Sequence, residues 1–355
     1  MKTLYRGSPV VLLALLSFTI ACNSGGKSGV VSPNAGGSPN QITGAGSTFV
    51  YPVMSKWIES FRIKNSGVQI NYQSIGSGGG IQQLKKGLVD FGASDAALSD
   101  DQLKDMPAIL QIPESAGPVC ITYNLPDLKE PLKLTSTALS GIYLGTIKTW
   151  NDMEIASANP GAKLPNTPII VAHRSDGSGT TNIFTNYLGA VSPDWKSKVG
   201  IGISVSWPVG IGGKGSEGVT SVVKQNPGGI GYVELTYAET NKLPVAEVKN
   251  AAGQWVSPTA DAATAAINAF SSELANDPRI PIVNPPASAK DAYPISGLTY
   301  LLVPKQPANV ARGENVKKFV QYVLTQGQSE AVQLHYARLP QSLIDSNQKM
   351  LSGGM

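Results

Sequence analysis

Apolar residues along the chain recur with two different periods, and the switches between them mark out its elements. Met54, Trp57, Ile58 and Phe61 fall on one helical face, and Ile81, Leu84 and Leu88 repeat that spacing further on. Val68 to Tyr72 alternates like a half-buried strand, while Val89 to Ala93 and Ile169 to Ala172 are short apolar runs that read as buried strands. The later chain keeps alternating. Helices are predicted over 137–144, 193–198, 261–274 and 310–324, strands over 203–207, 230–233 and 298–303, and a hairpin over 245–256 that turns at 250–253. Strands and helices in such succession predict an α/β fold.

Three of the strand-to-helix junctions share a composition. They read Gly44-Ala45-Gly46-Ser47-Thr48-Phe49, Ile75-Gly76-Ser77-Gly78-Gly79-Gly80 and Arg174-Ser175-Asp176-Gly177-Ser178-Gly179-Thr180. A glycine-rich corner opening a helix presents backbone N–H groups and the positive end of the helix dipole. Hydroxyls and one guanidinium added to such corners make a tetrahedral oxyanion the natural guest. Taken singly, each corner is explained by tight turns and helix caps; recurrence favours the anion. A fourth strand ends at Ser94-Asp95-Ala96-Ala97, placing a carboxylate where open α/β sheets hold ligands. Asp95 reads either as part of that site or as the cap of a helix beginning near Leu98. Asp176 reads as an Asx-turn residue or, preferably, as the salt partner of Arg174.

Composition narrows the chemistry. The chain has 355 residues, enough for two domains, but only 15% are charged, and the net charge of +4 is spread without a basic block. Nucleic acid is therefore not an expected partner. Lys2 and Arg6 precede an apolar run over 10–21 that ends at Cys22. This resembles a bacterial lipoprotein signal, with Thr19 where Leu is usual, so that 1–22 is removed up to a lipid-modified Cys22; an ordinary secretory signal is the alternative. Residues 23–40, rich in Gly, Ser, Pro and Asn, read as a flexible tether. Cys120 then has no partner for an intrachain disulfide and reads as a buried strand residue. Two histidines and no thiol pair make no transition-metal set, and no cofactor is expected. Gly210-x-Gly212-x-x-Gly215 matches a dinucleotide fingerprint only in letters, and Ser178 does not sit in a G-x-S-x-G elbow.

The three corners, together with Val89-Asp90-Phe91-Gly92-Ala93-Ser94-Asp95 and Gly229-Ile230-Gly231-Tyr232-Val233, resemble the phosphate-binding proteins of bacterial ABC phosphate uptake systems, over about 42–343. The resemblance implies the type II periplasmic-binding-protein fold, with lobe 1 from 41–123 plus 294–350 and lobe 2 from 124–293, closing over one phosphate about crossings near Tyr123 and Pro294. It implies as ligands Thr48, the backbone of Phe49, Ser77, Asp95, Arg174, Ser178, the backbone of Gly179, and Thr180. Ser47 and Gly78 depart from residues common in that family. The implied protein is an exported, lipid-anchored monomer that delivers phosphate to a membrane permease and is not an enzyme. Asp95, which as a carboxylate can only accept, would select an oxyanion that still carries a proton. The alternatives are a binding protein for another oxyanion and a phosphate-ester hydrolase using Ser178 or Asp95.

Overall fold

The computed structural model describes residues 38–354, so the expected signal with Cys22, and the tether up to residue 37, lie outside the described residues. The first part of the chain alternates as its pattern predicts: β1 (Gln41–Gly46), α1 (Tyr51–Lys64), β2 (Gln69–Ser74), α2 (Ser77–Lys85), β3 (Phe91–Ser94) and the short α3 (Asp100–Lys104). Helix α1 turns Val53, Met54, Trp57 and Phe61 inward, with Pro52 in its first turn, where a missing N–H costs nothing. Ser99, not Asp95, caps α3, accepting from the Gln102 N–H in a capping box.

Next comes β4 (Ile109–Tyr123), buried along its whole length. The middle of the chain carries β5 (Lys133–Leu134), α4 (Ser136–Leu144), α5 (Met153–Ala158), β6 (Ile170–Arg174), α6 (Gly179–Val191) and α7 (Pro193–Lys198). Then follow β7 (Ile211–Gly213), α8 (Gly215–Gln225), β8 (Gly229–Glu234), α9 (Leu235–Thr240), β9 (Glu247–Lys249) and β10 (Trp255–Val256). Helices α10 (Ala260–Ala269) and α11 (Ser271–Asn276) precede β11 (Ser296–Pro304), and α12 (Val310–Leu324), α13 (Gly327–Gln333) and α14 (Gln341–Gly354) complete the order.

Eight strands form one sheet in the order β2-β1-β3-β11-β4-β8-β6-β7, and β10-β9-β5 make a small second sheet. The long β4 ties the large sheet together by changing partner along its length. Residues 109–118 pair antiparallel with β11, and 119–123 pair antiparallel with β8. At the change, Val119 N–H donates to the Ile295 carbonyl at 2.7 Å. Strands β1, β2 and β3 run parallel on one side, and β6, β7 and β8 run parallel on the other, so each half presents its own set of strand ends. Ala263 and Ile267 of α10 and Leu274 of α11 pack in one cluster with Ala45, Leu84, Leu298 and Leu343, on the β1 side.

Two departures from the pattern have physical causes. The alternating stretch 203–207 is not a strand. Its groups are taken up elsewhere, since Ser178 N–H donates to the Ile203 carbonyl and Trp207 stacks on His173 and Tyr232. The ladder between β4 and β11 also slips, in that Thr299 faces Ser115 while Tyr300 faces Pro113, leaving Glu114 as the extra residue of a bulge.

Candidate functional site

The first corner is a backbone platform. Gly46 has φ 147°, and a Cβ there would stand 2.0 Å from the Ala93 carbonyl oxygen, so only glycine lets β1 lie this close to β3. Three tyrosine hydroxyls then take its carbonyls in turn. Tyr72 donates to Ser47 O at 2.8 Å, Tyr237 to Thr48 O at 2.6 Å and Tyr336 to Phe49 O at 2.6 Å. A trans peptide points its N–H opposite to its C=O. The amides of Thr48 and Phe49 are therefore turned the other way, ahead of α1. The Thr48 hydroxyl is buried, pairs with the Ser216 hydroxyl at 2.9 Å and accepts from the Ser216 N–H.

The second corner meets the acid at the end of β3. Ser77, the first residue of α2, accepts at Oγ from the Asp95 N–H at 3.3 Å and from the Gly179 N–H at 3.1 Å. The Asp95 carboxyl is 3% exposed, and Ser47 donates its hydroxyl to Oδ1 at 2.5 Å. Burial pushes this carboxyl up to about 6, against the opposing pull of the Ser47, Thr299 and Ser77 hydroxyls and the Arg174 charge.

The third corner carries the cation. Arg174, at the end of β6, donates from Nε to Asp176 Oδ1 at 2.8 Å and from Nη2 to Oδ2 at 2.5 Å, a bidentate pair. Gly215 N–H adds a bond to Asp176 Oδ1, which ties the glycine loop before α8 to this corner. Burial works against the charge on Asp176, but Arg174 and Gly215 outweigh it and hold the carboxyl below its ordinary range. Ser178 caps α6, accepting from the Thr181 N–H at 3.0 Å, and keeps its own hydroxyl proton to donate. Thr180 is buried, and its Oγ1 has no hydrogen-bond partner.

All three corners and Asp95 thus converge between the two halves of the sheet. A Cβ on Gly76 would come 2.3 Å from Asp176 Oδ2, and one on Gly179 would come 2.6 Å from Asp95 Oδ2. Asp95 and Arg174 are near enough for the charge of one to act on the other. Asp95 is no helix cap, and Asp176 is the partner of Arg174. The glycines of the dinucleotide-like stretch serve the backbone, since Gly210 (φ 117°) lies against Val171 and His173, Gly212 against Ser175, and Gly215 has φ 70°. Sequence reasoning did not assign roles to Ser47, Ser216, Thr299, Glu114 or the three tyrosines. Ser47 and Ser216 had a signal, each lying in a glycine-rich stretch that opens a helix.

Donors gathered from two α/β halves around one carboxylate define a two-lobed binding protein of the periplasmic kind. The PBP superfamily domain matches residues 33–326. The chain is 46% identical to the phosphate-binding protein PstS of Xylella fastidiosa (strain Temecula1) over 86% of its own length and 83% of that protein's. It is 41% identical to the phosphate-binding protein PstS of Haemophilus influenzae, over 86% of this chain and 91% of the relative. A solved high affinity periplasmic phosphate-binding protein, PfluDING bound with phosphate, superimposes with a TM-score of 0.71 at 23% identity, covering 87% of this chain and 93% of that one, and supports the fold. The chain belongs to the PstS family of phosphate-binding proteins within the PBP superfamily.

Proposed function

We propose that this chain binds inorganic phosphate with high affinity outside the cytoplasmic membrane and delivers it to an ABC permease. The observation that carries this reading is a closed cleft in which donors surround a single available acceptor. Arg174, the hydroxyls of Thr48, Ser77, Ser178 and Thr180, and the amides of Phe49 and Gly179 supply the donors; Asp95 is the acceptor. The partnerless Thr180 hydroxyl fits a ligand oxygen, since a buried polar atom left unpaired costs about 1–3 kcal/mol. Bonds now made across the cleft, such as Gly179 N–H to Ser77, would be exchanged for bonds to the anion.

Asp95 sets the selectivity. Phosphate at neutral pH still carries a hydrogen to give to a carboxylate, whereas sulfate would bring a bare anionic oxygen against it. Leaving a buried polar group unpaired in this way supports rejection of roughly 10⁴-fold. The proposal is one of binding rather than turnover, in keeping with relatives that are named phosphate-binding proteins.

The lobes are taken as 41–123 plus 294–350 and 124–293, with the segment carrying α10 and α11 packed on the first. Closure about the β4 and 293–296 crossings would give the permease a shape to read. Cys22 would carry the lipid that holds a monomeric chain at the membrane. Among the described residues no helix is long and apolar enough to cross one.

Calorimetric titration of the purified chain with phosphate tests the reading. Saturable binding of one anion per chain is expected; no heat, with no phosphate released on denaturation, would overturn it. The mass of the chain from its host would read the lipid on Cys22.

A further inference from the structure

Behind Asp95 lies a second acid that the phosphate site does not use. Glu114 is fully buried at the β4–β11 bulge, and the bulge is what turns it off the regular ladder. Its backbone carbonyl accepts from Gln328 Nε2 at 2.8 Å, which fixes the bulge from the α13 side. Its Oε1 lies 3.1 Å from the Thr299 hydroxyl, and its Oε2 has no partner. Thr299 also stands beside Asp95, one step along the β3–β11 ladder from the Tyr300–Ser94 pair, and its hydroxyl is among the groups that lower the Asp95 pKa. One hydroxyl hydrogen cannot serve two carboxylates. Two ionised acids here would compete for it, and the competition ends if one acid keeps its own proton.

Glu114 is the acid that should keep it. Arg174 and the Ser47 and Ser77 hydroxyls favour charge on Asp95, whereas Glu114 has only Thr299 to set against burial and the neighbouring Asp95 charge, and is pushed up to about 8. The other titratable groups that face the pair are Tyr72 of β2, Tyr300 of β11 and Tyr336 after α13, phenols that burial raises and keeps neutral. A protonated Glu114 can donate its O–H to Thr299 Oγ1 across the 3.1 Å contact, which leaves the Thr299 hydrogen free for Asp95.

We infer that Glu114 is a positioning residue for anion selection: a neutral carboxylic acid that, through Thr299, holds Asp95 as an ionised acceptor towards the ligand. This rests on the phosphate reading above. When Glu114 loses its proton at alkaline pH, the Thr299 hydrogen is contested and a second negative charge stands behind Asp95, so a phosphate dianion binds less well.

The test is phosphate affinity by calorimetry at pH 7 and about pH 9.5 for wild type, Glu114→Gln and Glu114→Met. Wild type is expected to weaken about tenfold more than Glu114→Gln over this range, one pKa unit of coupling. The Gln variant, whose amide donates to Thr299 at any pH, should match wild type at pH 7. Glu114→Met, neutral but no donor, should be about tenfold weaker at pH 7 and as insensitive to alkali as the Gln variant, the loss of one buried hydrogen bond. It also stands in should the Gln variant fail to fold. An alkaline loss of equal size in wild type and either variant overturns the inference, as does full affinity in the Met variant at pH 7. Failure of wild type to bind phosphate at pH 7 would instead strike the function proposed above.

Discussion

The cleft holds two aspartates close to strand ends of the same build, and the protein drives them in opposite directions. Asp176 faces a bidentate guanidinium and a backbone amide and is held ionised below the ordinary carboxyl range, even though burial opposes this. Asp95 is buried among hydroxyls, with the cation acting only at a distance, and is raised to about 6. Two identical side chains thus acquire two jobs from their surroundings. Asp176 is spent on aiming Arg174, while Asp95 keeps acceptor capacity for whatever enters the cleft.

The contrast breaks most severely at the cation. Arg174→Ala removes the bidentate donor and leaves Asp176 as an uncompensated negative charge beside the anion, so phosphate affinity should fall about 10³-fold, the 3–5 kcal/mol of a broken buried pair. Calorimetry reads it directly, and wild-type affinity in that variant would reduce the third corner to a turn. A pH series sharpens the contrast without mutation. Because the folded Asp95 carboxyl is raised, it is ionised above about pH 6 and gains a proton as the pH falls through that value. Once protonated it can donate to sulfate, so sulfate should compete progressively better below pH 6 and poorly above it. Sulfate competition that stays flat from pH 5 to pH 8 would separate Asp95 from selectivity.

A smaller change is expected from Thr180→Val, which keeps the volume and removes the partnerless hydroxyl. About tenfold weaker phosphate binding is expected, and binding at wild-type strength would mean that this hydroxyl faces no ligand. The smallest expected effect is that of Ser47→Ala. Phosphate affinity at pH 7 should change only a few-fold, about one neutral hydrogen bond, but the pH at which sulfate begins to compete should move upward, because one of the groups lowering the Asp95 pKa is gone.

Much of this was legible in the letters. Glycine next to hydroxyls at strand ends has a local cause, since a Cβ at Gly46 or Gly76 would collide with backbone or with Asp176, and so the corners could be found without the fold. The helix over 310–324 follows its apolar spacing to the residue. What stayed hidden depends on pairing between distant residues. Strand β4 could not be read to its full length because Pro113, Ser115 and Gly117 interrupt its apolar run, and only the strands on either side make that segment a strand. The alternation at 203–207 suggested a strand, yet its Ile203 carbonyl is used by the start of α6 and its Trp207 by a stack of rings. Thr299 and Glu114 carry no local signal at all. Their placement beside Asp95 comes from a register slip between β4 and β11, nearly two hundred residues apart in the chain.

The measurement that bears most directly on the role of Asp95 is the ratio of phosphate to sulfate affinity at pH 7.5 in wild type and in Asp95→Asn. An asparagine amide can donate where the carboxylate only accepts. Wild type should prefer phosphate by roughly 10⁴-fold, and the variant should lose at least about 10²-fold of that ratio, chiefly by gaining sulfate rather than by losing phosphate. A ratio that is the same in both proteins would contradict the account.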